Sequence, residues 1–154
     1  MTTSRLSGSL VLDEGEGQDL DRKSLRKVTG HTADFAELAR DCVCFANGAG
    51  GRVLVGIEDD DTHPPARQRV DPGLLDRIRK RIGELTVNVQ VLPELQHDEN
   101  GGEYIVIAVA RSVGVASTSD GRYFLRIGDT CNPIVGDDVL RPWRTSDPRC
   151  RGRR

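Results

Sequence analysis

The chain has 154 residues, 22 Lys and Arg against 24 Asp and Glu, a formal charge of −2 and 36% hydrophobic residues. That length suits one domain, and a near-neutral balance does not by itself point to a polyanionic partner. No apolar run approaches the roughly 20 residues that cross a bilayer, and the first residues have neither the greasy core nor the cleavage site of a signal peptide. The expected location is therefore the cytoplasm, with no membrane partner.

Apolar residues fall in blocks separated by Gly, Pro and Asp, as a packed domain requires. Cys42, Cys44, Cys131 and Cys150 form no spacing framework, so reduced thiols are the expectation. Zinc is disfavoured, because there is no C-x-x-C pair and His31, His63 and His97 stand singly among polar residues. Only Lys23, Lys27 and Lys80 are lysine among the basic residues. Such arginine excess suits planar contact with phosphates, although the base composition of a gene produces it too.

Residues 1–15 read as weakly ordered. The stretch Gln18 to Leu25 is short enough for a strand whose period of two puts Asp19, Asp21 and Lys23 on one polar face. Thr32 is placed to cap a helix carrying Phe35, Leu38, Ala39, Cys42, Val43 and Ala46 on its apolar stripe, with Asn47-Gly48 ending it. RVLVGI, from Arg52 to Ile57, reads as a central strand running into the acidic turn Glu58 to Asp61. A proline-rich loop follows, and Asp71-Pro72-Gly73 starts a second helix with Leu74, Leu75, Ile78, Ile82 and Leu85 inward and Arg77, Arg79, Lys80 and Arg81 elsewhere on its surface.

Strands are then expected at Val87 to Leu92, Glu103 to Ala110 and Arg122 to Ile127. The first two form a hairpin through HDENGG, and a mobile loop precedes the third. Gly136 to Trp143 is read as a short closing helix before a basic tail over 144–154. Late clustering of strands predicts an α+β fold, a mixed sheet with two helices packed on one face.

Three features bear on chemistry. Carboxylates at Glu16, Asp21, Glu58 and Asp59, extending to Asp60, with Lys23 beside them, have the oxygen donors for Mg²⁺ or Mn²⁺ if the first strand pairs with the one ending at Ile57. Metal-activated hydrolysis of a phosphodiester would follow, with Lys23 offsetting transition-state charge. The competing reading is an ordinary solvated acidic turn. The glycine-rich FANGAGG allows close backbone approach to phosphate, but it leads from helix into strand, so the helix dipole has the wrong sign and a structural turn is favoured. Finally, Arg52, Arg77, Lys80, Arg81, Arg122 and Arg126 lie on predicted elements. Arg122 and Arg126 share a strand face with Phe124, which reads either as a phosphate-and-base platform or as a solvated face.

Taken together, Asp21-x-Lys23, Phe45-Ala46-Asn47, Gly50-Gly51, Gly56-Ile57-Glu58-Asp59 and Arg126-x-Gly128 resemble the Alba-like domain of the Schlafen group over roughly residues 16–142. The resemblance implies an Alba-like fold over 16–143 and binding of RNA or DNA, with a regulatory role and a homodimer as further expectations. For some members it implies a metal-dependent endoribonuclease, whose carboxylates would be Glu16, Asp21 and Glu58 or Asp59. This chain has Asp21 where that pattern usually has Glu, and the surroundings of Glu16 are glycine-rich. Protein interaction or dimerisation is the third reading.

Overall fold

The computed structural model describes residues 19–135. The strands are β1 (Leu20–Lys23), β2 (Gly51–Val55), β3 (Thr86–Val87), β4 (Val91–His97), β5 (Glu103–Val109), β6 (Ser117–Thr118), β7 (Tyr123–Ile127) and β8 (Thr130–Ile134). Two helices, α1 (Phe35–Asn47) and α2 (Gly73–Leu85), complete the α+β fold. The main sheet has the order β1-β2-β5-β4, with β1 parallel to β2 and the other pairings antiparallel. The first expected strand forms as β1, and β4 and β5 form the expected antiparallel hairpin, its first strand shifted along the chain.

Alternation sorts the sheet residues. Val53, Val55, Ile105 and Ile107 pack with Leu38, Cys42 and Val43 of α1 and Leu74, Ile78 and Ile82 of α2, so both helices cover one face. Leu20, Leu54, Ile57 and Tyr104 form a smaller cluster on the other face. Because β2 lies between two strands and is covered on both sides, its run of Val53, Leu54 and Val55 is wholly buried.

Local readings are corrected in several places. The cap of α1 is Asp34, whose carboxylate accepts the Glu37 N–H at 3.0 Å, while the Thr32 hydroxyl turns back to the Arg26 carbonyl. The strand expected from Val87 to Leu92 is broken by Asn88, which sits at φ 62° and donates to the Val115 carbonyl. The hairpin strand therefore begins at Val91 and runs through Pro93, tolerated because β4 is a sheet edge. The loop before β7 contains β6, paired with β3. Strand β7 pairs with β8 in a separate hairpin that packs on α1, outside the main sheet. Glu16 and the closing helix expected at 136–143 lie outside the described residues.

A disulfide joins Cys44 of α1 to Cys131 of β8, with Cα atoms 5.8 Å apart and a sequence separation of 87. This overturns the expectation of reduced thiols: the pairing depends on the hairpin packing over α1, which Cys spacing does not encode.

The turn after α1 is structural. The Gly48 and Gly50 N–H groups both donate to the Phe45 carbonyl, and Gly50 has φ 82°. A Cβ on Gly51 would overlap the Phe45 ring and come within 2.9 Å of the Asp19 carbonyl oxygen. Gly51→Ala should therefore lower stability by roughly 2 kcal/mol, read by urea denaturation. An unchanged midpoint would mean that the ring has room to move. Asn47 completes the junction: its buried amide donates to the Ala116 and Phe124 carbonyls at 2.9 and 2.8 Å and accepts the Ala116 N–H at 2.7 Å.

Candidate nucleic-acid interface

Strand alternation turns Leu20 and Arg22 into one buried layer and leaves Asp21 and Lys23 on the other side. Helix α1 brings Glu37 and Asp41, one turn apart, to the same place. The Lys23 ammonium lies 2.6 Å from Asp41, 3.3 Å from Asp21 and 3.5 Å from Glu37, and its side chain is 11% exposed. Lys27 joins Glu37 at 3.3 Å. Burial alone would lower the affinity of Lys23 for its proton, but Asp41, Asp21 and Glu37 outweigh it and hold the ammonium well above its ordinary range. Asp41 is also raised, because its burial and the negative charge of Asp21 outweigh the attraction of Lys23. One ammonium thus serves three carboxylates.

Strand pairing sets Lys23 opposite Val55, and the Gly56 N–H donates to the Lys23 carbonyl at 2.8 Å. Glu58 and Asp59 follow in an exposed turn at the same end of the sheet. Among the described residues no three His, Cys, Asp or Glu side chains gather to hold a metal ion. Asp21 pairs with Lys23 at 3.3 Å. His63 and His97 are not isolated: the first pairs with Asp98 at 3.2 Å and the second with Glu103 at 2.9 Å, around the β4–β5 turn.

The arginines divide. Arg126 is 4% exposed, donates to the Leu20 carbonyl at 3.0 Å and places its guanidinium 4.6 Å from the centre of the Phe45 ring. Phe124 is also buried. The face shared by Arg122, Phe124 and Arg126 therefore turns inward, which corrects the open platform expected from the sequence. Arg122 lies at its edge, largely exposed, 3.2 Å from Asp120 and 5.7 Å from the Phe124 ring. Arg52, at the second position of β2, is partly buried.

Helix α2 keeps its basic residues outside. Arg77 and Lys80 are exposed, and Arg81 lies one turn from Arg77, pairs with Glu84 at 2.7 Å and covers Phe35 at 5.8 Å. Arg77 also lines a shallow cavity of about 210 Å³ with Arg69, Asp71, Leu25, Thr29 and Leu74. Neither Arg77 nor Lys80 has an acidic partner among the described residues, in contrast to Arg79, which pairs with Asp76 at 3.0 Å. No helix among the described residues is long and apolar enough to cross a membrane.

A mixed sheet covered by two helices, with a glycine turn locked under Phe45 and Arg126, defines an α+β domain of Alba-like type. Residues 16–135 match the Schlafen AlbA_2 family, and the chain belongs to it, a family of nucleic-acid-related domains. No curated protein matches significantly. Among solved structures, the chain is similar in fold to the DIP2311 protein of Corynebacterium diphtheriae, at 20% identity and a TM-score of 0.61 over 95% of this chain. It spans about a third (32%) of that protein's chain.

Asp41 and Glu37 escaped the sequence reading as site residues, and Asn47, read as ending the helix, was not read as tying it to Ala116 and Phe124. A helix stripe that is otherwise apolar but contains Asp41 is the signal that points to a buried partner.

Proposed function

We propose that this domain binds RNA or DNA through phosphate contacts on the exposed face of α2, with Arg77, Lys80 and Arg81 as the principal cations and Arg69 beside them. The observation that carries this reading is the basic strip on α2, in which Arg77 and Lys80 are not neutralised by any described acid. Cations held at the surface without a carboxylate partner gain most from displacing counterions around a polyanion. Arg126, locked into the fold, contributes nothing directly.

Fluorescence anisotropy with labelled RNA and DNA across a salt series tests it. Wild type should bind at low salt, and Arg77→Ala with Lys80→Ala should weaken binding and reduce the slope of log K against log salt by about 1–2. A flat titration at low salt rejects the proposal, and an unaltered slope moves the interface away from α2.

A second reading, metal-dependent cleavage of RNA, draws support from the position of Asp21 and Lys23 at the strand end beside which Glu58 and Asp59 emerge. Cleavage that requires Mg²⁺ or Mn²⁺ and is lost in Asp21→Asn and Glu58→Gln would favour it. Cleavage that persists in those variants counts against it.

A further inference from the structure

We propose that the Cys44–Cys131 disulfide is a redox latch that holds the β7–β8 hairpin on α1 and, through Arg126, orders β1, the strand bearing Asp21 and Lys23. The inference concerns the order of the chain and stands independently of the nucleic-acid reading. Strands β7 and β8 form their own two-stranded sheet, so hydrogen bonding to the main sheet does not secure them. Beside the burial of Phe124 in the core, what secures them is the disulfide, the Asn47 amide on the Phe124 carbonyl and Arg126, whose guanidinium spans from Phe45 to the Leu20 carbonyl. Leu20 begins β1, a short strand at the end of the sheet order that pairs with β2. Opening the hairpin withdraws the Arg126 donor from that strand.

The two sulfurs differ in access. Cys44 is fully buried, whereas Cys131 on β8 is only partly buried. A thiolate of an external dithiol therefore attacks the Cys131 sulfur, the S–S bond breaks, and Cys44 leaves as a thiolate and takes up a proton. The second thiol of the reductant then attacks its own sulfur in the mixed disulfide, releasing Cys131 and leaving the reductant as a cyclic disulfide. Two electrons and two protons pass to the protein. Cys42 is fully buried, and burial pushes its thiol far above the usual range, so it does not supply an internal nucleophile. The latch responds to an external dithiol.

Hydrogen exchange followed by mass spectrometry on the full chain, with and without dithiothreitol, tests this, alongside peptide mapping of the non-reduced protein. Mapping should recover a cross-linked Cys44–Cys131 peptide. Reduction should accelerate amide exchange at least tenfold over Leu20–Lys23 and Tyr123–Ile134, with little change in β2 and β5. Cys131→Ser should show the fast exchange without reductant and no further response to it. If that variant fails to fold, the wild-type pair of measurements carries the test. Recovery of both cysteines as free thiols, or exchange in β1 that is indifferent to dithiothreitol, overturns the proposal.

Discussion

Replacing Lys23 with Met should destabilise the domain by roughly 3–5 kcal/mol, because it leaves Asp21, Glu37 and Asp41 facing one another without the ammonium between them. The loss should depend on pH. In the wild type the raised proton affinity of Lys23 gives stabilisation that is complete below its unfolded pKa and fades only as pH rises through the higher folded value, in the strongly alkaline range. Asp41 works in the opposite sense: its folded pKa is raised, so its ionisation costs stability above the window between its unfolded and folded values, and acid relieves that cost. Removing Lys23 widens this window. The gap between wild type and Lys23→Met should therefore narrow by at least about 1 kcal/mol between pH 7.5 and pH 4.5, measured by urea denaturation at both values. Adding Asp41→Asn to Lys23→Met should recover part of the loss at pH 7.5, since a neutral amide does not need the missing cation. A gap independent of pH, with no recovery in the double variant, would mean that Lys23 contributes through packing of its stem.

Where the pattern of side chains is set by local geometry, the sequence was readable. The apolar stripes of α1 and α2, the buried run of β2 and the placing of Asp21 and Lys23 on one side of β1 all follow from periods of 3.6 and 2. The run VNVQVL misled because its alternation is that of a strand, whereas Asn88 adopts a left-handed backbone and delays the pairing to Val91. Long-range partners were not readable. Nothing near Cys44 indicates a hairpin 87 residues later. Asp41 in an apolar stripe calls for a partner without identifying it as Lys23 on β1, and Arg126 carries the charge that ordinarily marks a solvent-facing position.

The Phe45-Ala46-Asn47, Gly50-Gly51 and Arg126 parts of the motif that suggests the family turn out to be a structural joint. Phe45 packs on Gly51, Asn47 ties the end of α1 to the segments around Ala116 and Phe124, and Arg126 covers Phe45 while reaching the start of β1. These residues are far apart in sequence but meet at one place, where α1 turns into β2. A similar motif therefore carries strong information about fold and little about which surface meets a ligand. Outside the joint, Glu58, Asp59, Arg77 and Lys80 are exposed.

Arg126→Ala separates the two kinds of arginine. The variant loses a guanidinium over an aromatic ring and a charged donor to a strand carbonyl, and leaves a void beside Phe45, so it should lose roughly 3 kcal/mol of stability. Its affinity for nucleic acid, per folded molecule and at a temperature where it remains folded, should match the wild type. Arg77→Ala should do the reverse: an exposed side chain with no acidic partner among the described residues changes stability by no more than about 0.5 kcal/mol, while affinity falls and the salt slope drops by about 1. Thermal denaturation paired with anisotropy on the same preparations reads both. Should Arg126→Ala weaken binding in a fully folded sample, β7 rather than α2 would lie against the polyanion; should Arg77→Ala lower stability by several kcal/mol, its cavity beside Leu25 and Leu74 would be part of the packed core.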